Sequence, residues 1–193
     1  MGSGTSITAV KNGKSYDTSM GFTPVAGITM SSRSGDVDPS LLPFIMKKED
    51  INIDQMMKIL YHKSGLLGIS EISPDMRNLR SNMTPLKGEK KARADLARNI
   101  FINRIIRYAG SYILEMGELD SIIFTAGVGE HDYGVREGVM DSLKALSLKP
   151  DLAANKKNDT FITKKDSKIV GMVIPTNEEL MIERDVVRIA GLK

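Results

Sequence analysis

The sequence predicts an α/β domain, a mixed sheet with helices packed on it, and three observations carry that prediction. Residues 120–125 (DSIIFT) form a short run rich in β-branched residues that reads as a buried strand, and it ends in a Gly-x-Gly turn, Gly127-Val128-Gly129. Near the start, two strand-like runs at residues 5–10 and 15–19 are joined by Lys11-Asn12-Gly13-Lys14, and Asn-Gly is a strong hairpin signal. In the second half of the chain strands alternate with long helical patterns, the order expected of a sheet covered by helices.

The elements follow in order. After the hairpin, residues 21–24 and 31–39 are loop-like, and Asp38-Pro39 supplies an N-cap followed by proline, so a helix is expected from there to about Lys47. A second helix is expected over residues 52–62, with Ile53, Met56, Met57 and Leu60 on one face, stopping before Gly65. Those methionines read as core filler, and His62 as a helix-end histidine near the carbonyl pole. Ser73-Pro74 opens a further helical turn that includes Asp75 and Arg77. The longest helix is expected over residues 87–116, with Leu96, Ile100, Phe101, Ile105, Ala109, Tyr112, Ile113 and Met116 at three- and four-residue spacing, and Gly117 ends it. After the 120–125 strand, Val135, Val139, Leu143 and Leu146 mark another helix. Residues 153–159 read as a polar, lysine-rich connector, 160–163 and 168–174 as two strands, and a last helix starts at Thr176 or Asn177.

Composition narrows the function. A chain of 193 residues has length for one full domain, burying roughly 70% of its unfolded surface, and no repeat or linker divides it, so residues 1–193 read as a single domain. With no cysteine there can be no disulfide framework, zinc–thiolate site or thiol nucleophile, and a reducing, cytoplasmic setting is expected. No apolar run approaches the ~20 residues of a membrane span, and no signal-peptide pattern opens the chain, so no membrane partner is expected. The net charge of +3 does not call for a polyanionic partner. The densest basic run, residues 87–98, is interleaved with Glu89 and Asp95 and reads as a solvated helix face with local ion pairs. The absence of tryptophan also removes the usual base-stacking platform, so no nucleic-acid partner is expected.

Several stretches have two readings. The joint at residues 120–131 is either a tight turn or a place where glycines let a ligand approach the carboxyl end of a strand. It is neither a P-loop nor a three-glycine dinucleotide finger. Gly2-Ser3-Gly4-Thr5-Ser6 is either a small-residue turn whose N–H groups meet a phosphate or a terminal remnant. Arg33 stands among Ser31, Ser32, Ser34 and Gly35, so its fork either serves a phosphate or braces the turn by pairing Asp36 or Asp38. Glu178 and Glu179 either answer a helix dipole or, at a strand-to-helix joint, offer magnesium a carboxylate. Two histidines without cysteine make a transition-metal cluster unexpected.

Taken together, Asp17-Thr18-Ser19-Met20-Gly21-Phe22-Thr23-Pro24, Arg33-Ser34-Gly35-Asp36-Val37-Asp38-Pro39, Lys63-Ser64-Gly65-Leu66-Leu67-Gly68, Phe124-Thr125-Ala126-Gly127-Val128-Gly129-Glu130 and Ile174-Pro175-Thr176-Asn177-Glu178-Glu179-Leu180 resemble the carboxyl-terminal half of the acetate kinases, nearly end to end. The resemblance implies a ribonuclease H-like (actin-like ATPase) domain of the acetate and sugar kinase, Hsc70 and actin superfamily. It further implies that Gly2, Ser3 and Gly4 line the nucleotide phosphates. Asp75, Met76 and Arg77, with Gly127, Val128, Gly129, Glu130 and His131, would hold the adenosine part. Arg33 would stabilise the phosphoryl transition state and Glu178 would ligate Mg2+. The implied reaction moves a phosphoryl group between ATP and acetate, giving ADP and acetyl phosphate. Ser3 and His131 stand where the family usually has asparagine, and Met76 where phenylalanine is common. The family's amino-terminal domain, with its catalytic aspartate and acetate-binding arginine, has no counterpart in this sequence. Adenine-nucleotide binding with little or no turnover by this chain alone is therefore expected, acetate or acetyl phosphate being bound only with that other domain. Two alternatives accompany this reading: a kinase for propionate or another short acid, and a non-catalytic homodimerisation module using the 87–116 helix.

Overall fold

A computed structural model describes residues 1–80 and 85–191. The hairpin forms as expected, with β1 (Thr8–Lys11) antiparallel to β2 (Lys14–Thr18), and Asn12 and Gly13 both adopt positive φ in the turn. Helix α1 (Leu41–Glu49) begins later than Asp38-Pro39 suggested. Asp38 still accepts the Ser40 N–H at 2.8 Å, but in a turn that precedes the helix. Helix α2 (Ile53–His62) opens on a capping box, Asn52 and Gln55 each bonding the other's backbone N–H, and buries Met56 and Leu60. Gly65, expected only to follow that helix, opens another, α3 (Gly65–Ser70). A 3-10 turn over Met76–Leu79 is capped by Asp75, and α4 (Gly88–Met116) runs to Gly117, whose φ of 86° ends it.

Helix α4 is the spine of the domain. Ala94, Ala97, Phe101, Ile105 and Tyr112 are buried along it, and they pack with Val135, Val139, Met140, Ile162 and Val173. Leu96, expected on the core face, is 52% exposed, because the small Ala94 and Ala97 make the close approach there. The basic run is a solvated face with local pairs, Lys91 to Asp95 and Arg93 to both Glu89 and Glu71.

Strand β3 (Ser121–Phe124) leads into α5 (Ala126–His131), so the glycines expected in a turn form the body of a short helix. Helix α6 (Tyr133–Ser142) follows and buries Val135 and Val139; a 3-10 turn, Leu143–Leu146, continues it, leaving Leu146 exposed. The expected connector at 153–159 is instead α7 (Leu152–Lys157). Asp151 accepts the N–H groups of Ala153 and Ala154 at 3.0 Å each, and Asn158 closes the helix at φ 58°. The expected strand at 160–163 reduces to isolated antiparallel bridges, Pro150 with Thr163 and Phe161 with Met172. Strand β4 (Val170–Val173) pairs parallel with β3. Helix α8 (Glu178–Ala190) buries none of its residues, and Met181, Ile182 and Ile189 are more than half exposed.

The architecture is thus α/β, as expected, but among the described residues the sheet is in two two-stranded pieces, one antiparallel and one parallel. Among the described residues no helix is long and apolar enough to cross a membrane.

Candidate functional site

The loop carrying Arg33 is shaped by its neighbours. Gly65, at φ 62°, lets α3 approach so closely that a Cβ there would lie 2.2 Å from the Met30 carbonyl and 2.7 Å from that of Arg33. The Leu66 and Leu67 N–H groups donate to the carbonyls of Met30 and Ser31, and Ser64 N–H donates to that of Ser32, all within 3.0 Å. From the other side, Ser34 N–H donates to the Leu60 carbonyl at 2.9 Å and Ser32 Oγ to that of Tyr61 at 2.9 Å. The loop of Ser31, Ser32, Arg33, Ser34 and Gly35 is thereby fixed between two helices.

Arg33 does not brace the turn by an ion pair. Its Nη1 donates to the Pro24 carbonyl at 3.3 Å and lies 3.6 Å from Met30 Sδ, and it has no carboxylate partner among the described residues. Asp36 is used elsewhere, accepting the Gly27 N–H at 2.7 Å and the Tyr108 hydroxyl at 2.5 Å. The guanidinium of Arg33 lies against Gly4, where a Cβ would meet Nη1 at 3.3 Å, and Ser31 N–H donates to the Ser3 carbonyl at 3.2 Å. Gly2, Ser3 and Gly4 therefore form a turn, closed by Gly2 N–H to the Gly4 carbonyl at 2.9 Å, directly beside an unpaired planar cation.

The same turn touches the β3–α5 joint. The Met1 carbonyl accepts the N–H of Val128 at 2.7 Å and of Gly129 at 3.3 Å. Ala126 holds φ 59°, a left-handed conformation costly for a residue with a Cβ, and its N–H donates to Thr176 Oγ1 at 3.0 Å. Gly127 is exposed and nothing lies within 4 Å of where its Cβ would be, so this side of the joint is open to a ligand. Glu130 Oε1 accepts both the N–H of Thr176 at 3.0 Å and its hydroxyl at 3.3 Å. These bonds, the Thr176 N–H foremost, hold the Glu130 carboxyl below the usual carboxylate range. Thr176 leads through Asn177, which caps α8 by accepting the Leu180 N–H, to Glu178 in an exposed first turn.

Asp75 and Arg77 are joined to this group through Arg80. Its Nη1 donates to the His131 carbonyl at 3.3 Å, its Nε lies 3.8 Å from Asp132 Oδ2, and its guanidinium lies 5.0 Å from the Tyr133 ring centroid. Asp75 and Arg77 pair with each other at 2.6 Å, and the Arg77 hydrogen bond holds the Asp75 carboxyl low. Met76 is 3% exposed. Its side chain belongs to the core, so what it offers the cleft is its backbone.

One buried residue was not anticipated. Arg136, with no exposed surface, donates to the carbonyls of Gly129 at 2.8 Å, Glu130 at 2.7 Å and Asn155 at 2.6 Å, and to Asn155 Oδ1 at 2.7 Å and Asn158 Oδ1 at 2.6 Å. Burial lowers its pKa, yet an arginine stays charged and suits the carbonyl pole of α5. Next to it, Asp132 caps α6 and accepts Arg98 Nη1 at 3.0 Å. The signal for Arg136 was an arginine flanking the apolar stripe of Val135 and Val139, with asparagines as the complementary polar groups.

The structure thus brings residues 2–4, Arg33, 127–131, Thr176 and, through Arg80, 75–77 into one run of contacts at the carboxyl ends of the parallel strands, with Glu178 two residues beyond Thr176 at the start of α8. That is where α/β folds place ligands. Among the described residues no group of three or more His, Asp or Glu could by itself hold a metal.

Known proteins share this fold. The chain is 38% identical to the acetate kinase of Porphyromonas gingivalis, with a TM-score of 0.91 over 98% of this chain and 47% of that one. It is 39% identical to a propionate kinase from Francisella tularensis subsp. tularensis SCHU S4, with a TM-score of 0.86 over 94% of this chain and 46% of that one. Among curated sequences it is 52% identical to the acetate kinase of Fructilactobacillus sanfranciscensis, over 99% of this chain and 48% of the relative. Fold and site together define an α/β domain of the acetate and sugar kinase, Hsc70 and actin class. Within that class the chain belongs to the acetokinase family, whose sequence model matches residues 1–184. It spans about half the length of the curated relatives it matches.

Proposed function

We propose that the chain is the ATP- and ADP-binding half of an acetate kinase, a cytoplasmic enzyme that transfers a phosphoryl group between ATP and acetate, giving ADP and acetyl phosphate. The observation that carries this reading is the Arg33 guanidinium, which has no carboxylate partner among the described residues, lying against the Gly4 turn. Gly2, Ser3 and Gly4 line the phosphates, where the lack of side chains on the two glycines lets backbone N–H groups approach. Arg33 stabilises charge on the transferring phosphoryl group, the step in which positioned cations matter most. The Gly127, Val128, Gly129, Glu130 and His131 segment and Asp75, Arg77 and the Met76 backbone take the adenosine side.

Glu178 is the proposed magnesium ligand. Its exposed carboxylate is a hard oxygen donor in the first turn of α8, and Mg2+ takes only one or two protein carboxylates while water and phosphate oxygens complete its shell. When bound, the ion neutralises phosphate charge. Acetate binding and turnover need the rest of a family-length protein, so the chain alone binds nucleotide and turns over little.

Two further readings have support. The likeness to a propionate kinase favours a kinase for another short acid as the alternative. Leu96 and Leu114, 52% and 84% exposed on α4, favour a homodimer contact along that helix, which sedimentation tests.

Amide chemical-shift mapping with ADP and Mg2+ tests the site. Saturable shifts are expected at residues 2–4, 75–77 and 127–131; shifts confined to other surfaces would refute the assignment.

A further inference from the structure

Three consecutive carbonyls at the end of α5 each accept a guanidinium N–H. Arg136 Nη1 donates to those of Gly129 at 2.8 Å and Glu130 at 2.7 Å, and Arg80 Nη1 donates to that of His131 at 3.3 Å. The Val128 carbonyl before them accepts the Asp132 N–H at 3.0 Å. A helix of six residues is too short to hold its shape unaided, so its last turn is fixed by groups that come from elsewhere.

The two arginines differ in where they are rooted. Arg136 belongs to α6, the element that directly follows the loop it grips, and is wholly buried with Asn155 and Asn158 as its other acceptors. Arg80 comes from the other segment proposed to hold adenosine. Its N–H donates to the Arg77 carbonyl at 3.3 Å while its side chain reaches the His131 carbonyl, so one residue is bonded to both segments. Asp132 anchors that side chain to α4. Its Oδ2 lies 3.8 Å from Arg80 Nε and accepts Arg98 Nη1 at 3.0 Å. The side chains of Arg80, Arg98 and Asp132 are 15%, 16% and 5% exposed, so the group is shielded from the water and salt that make surface pairs weak. The Tyr133 ring adds a cation–π contact to Arg80.

We propose that Arg80 is a positioning residue for the nucleotide, a strut that sets the gap between residues 75–77 and 127–131. It acts through the two segments and not by touching the nucleotide, and Asp132 and Arg98 hold it in place. A gap set in advance spares the ligand the cost of ordering two separate loops. The proposal deepens the nucleotide reading and rests on it for the ligand, whereas the tie between the segments is independent of that reading.

The test uses the 193-residue chain with R80M or D132N; asparagine keeps the side-chain oxygen that caps α6 and removes the charge. The chain has no cysteine, so spin labels on P74C and G127C, both exposed positions beside the two segments, report the gap itself without ligand. A single narrow distance is expected in the parent and a broadened or shifted one in R80M and D132N. Calorimetric titration of the unlabelled chains with Mg2+ then compares ADP with pyrophosphate, which engages the proposed phosphate residues alone. R80M should raise the Kd for ADP by about tenfold and leave that for pyrophosphate within about twofold, a split that neither a loss of fold nor a loss of positive charge would produce. Three outcomes overturn the proposal: the same distance distribution in R80M as in the parent; an equal loss for ADP and pyrophosphate; or an unchanged ADP affinity. A parent chain that does not bind ADP refutes the nucleotide reading instead, and the distances still decide whether Arg80 ties the two segments.

Discussion

Glu130 and Thr176 tie the carboxyl ends of the two parallel strands together, the carboxylate of one accepting both the backbone N–H and the hydroxyl of the other at 3.0 and 3.3 Å. The same hydroxyl lies 2.7 Å from Thr125 Oγ1 and accepts the N–H of Ala126, the residue in left-handed conformation. Thr176→Val keeps the shape and removes the hydroxyl. It should cost about 1–2 kcal/mol of stability, read in a urea titration, and raise the Kd for ADP, since the joint proposed to face the nucleotide loses its tie. An ADP affinity equal to that of the parent would detach this joint from the binding site.

Gly65 lets α3 close on the Arg33 loop. Gly65→Ala meets both a positive φ and a carbonyl 2.2 Å from the new Cβ, backbone that cannot move aside cheaply. A loss of about 2–3 kcal/mol is expected, lowering the thermal midpoint by roughly 4–12 °C for a domain of this size. Calorimetry checks it, and a midpoint unchanged within error would show that the loop is not held against α3.

Arg136 anchors the other end of α5. Arg136→Met should destabilise the domain by about 3 kcal/mol or more, because the carbonyls of Gly129 and Glu130 and the amide oxygen of Asn155 lose a buried donor. Arg136→Lys should restore little of it, since one ammonium lacks the planar fork that reaches both sides. Equal stability of the lysine and arginine forms in denaturant would contradict this.

The alkaline limb of stability should carry the mark of Tyr108. Burial, then its hydrogen bond to Asp36, pushes its hydroxyl up to about 12. In the unfolded chain the phenol ionises near pH ~10. The stabilisation is therefore fully present below that pH and is lost as pH rises through about 10 to 12. Tyr112, raised to about 12 chiefly by burial, acts in the same direction. Tyr108→Phe should flatten the decline, measured by denaturant melts across that range, and an unchanged slope would refute it.

Much of this was legible in the sequence because local chemistry and tertiary packing agree. Asn12-Gly13 gave the hairpin, Asn52 and Gln55 the capping box, and Gly117 the end of α4. The failures arose where a neighbour decides. The 160–163 run has strand-like residues but only isolated partners, and α7 was obscured by lysines that lie outside the short Asp151-to-Asn155 signal. Arg33 was ambiguous between an ion pair and an open fork until Asp36 was found bonded to Gly27 and Tyr108.

The most direct test of the account is a calorimetric titration of the 193-residue chain with ADP in the presence of Mg2+, repeated with Arg33→Ala and Glu178→Gln. One saturable site per chain is predicted at millimolar nucleotide or below, weakened by Arg33→Ala and made less dependent on Mg2+ by Glu178→Gln, with both variants unchanged in thermal midpoint. No saturable heat from a folded sample at millimolar ADP would contradict it.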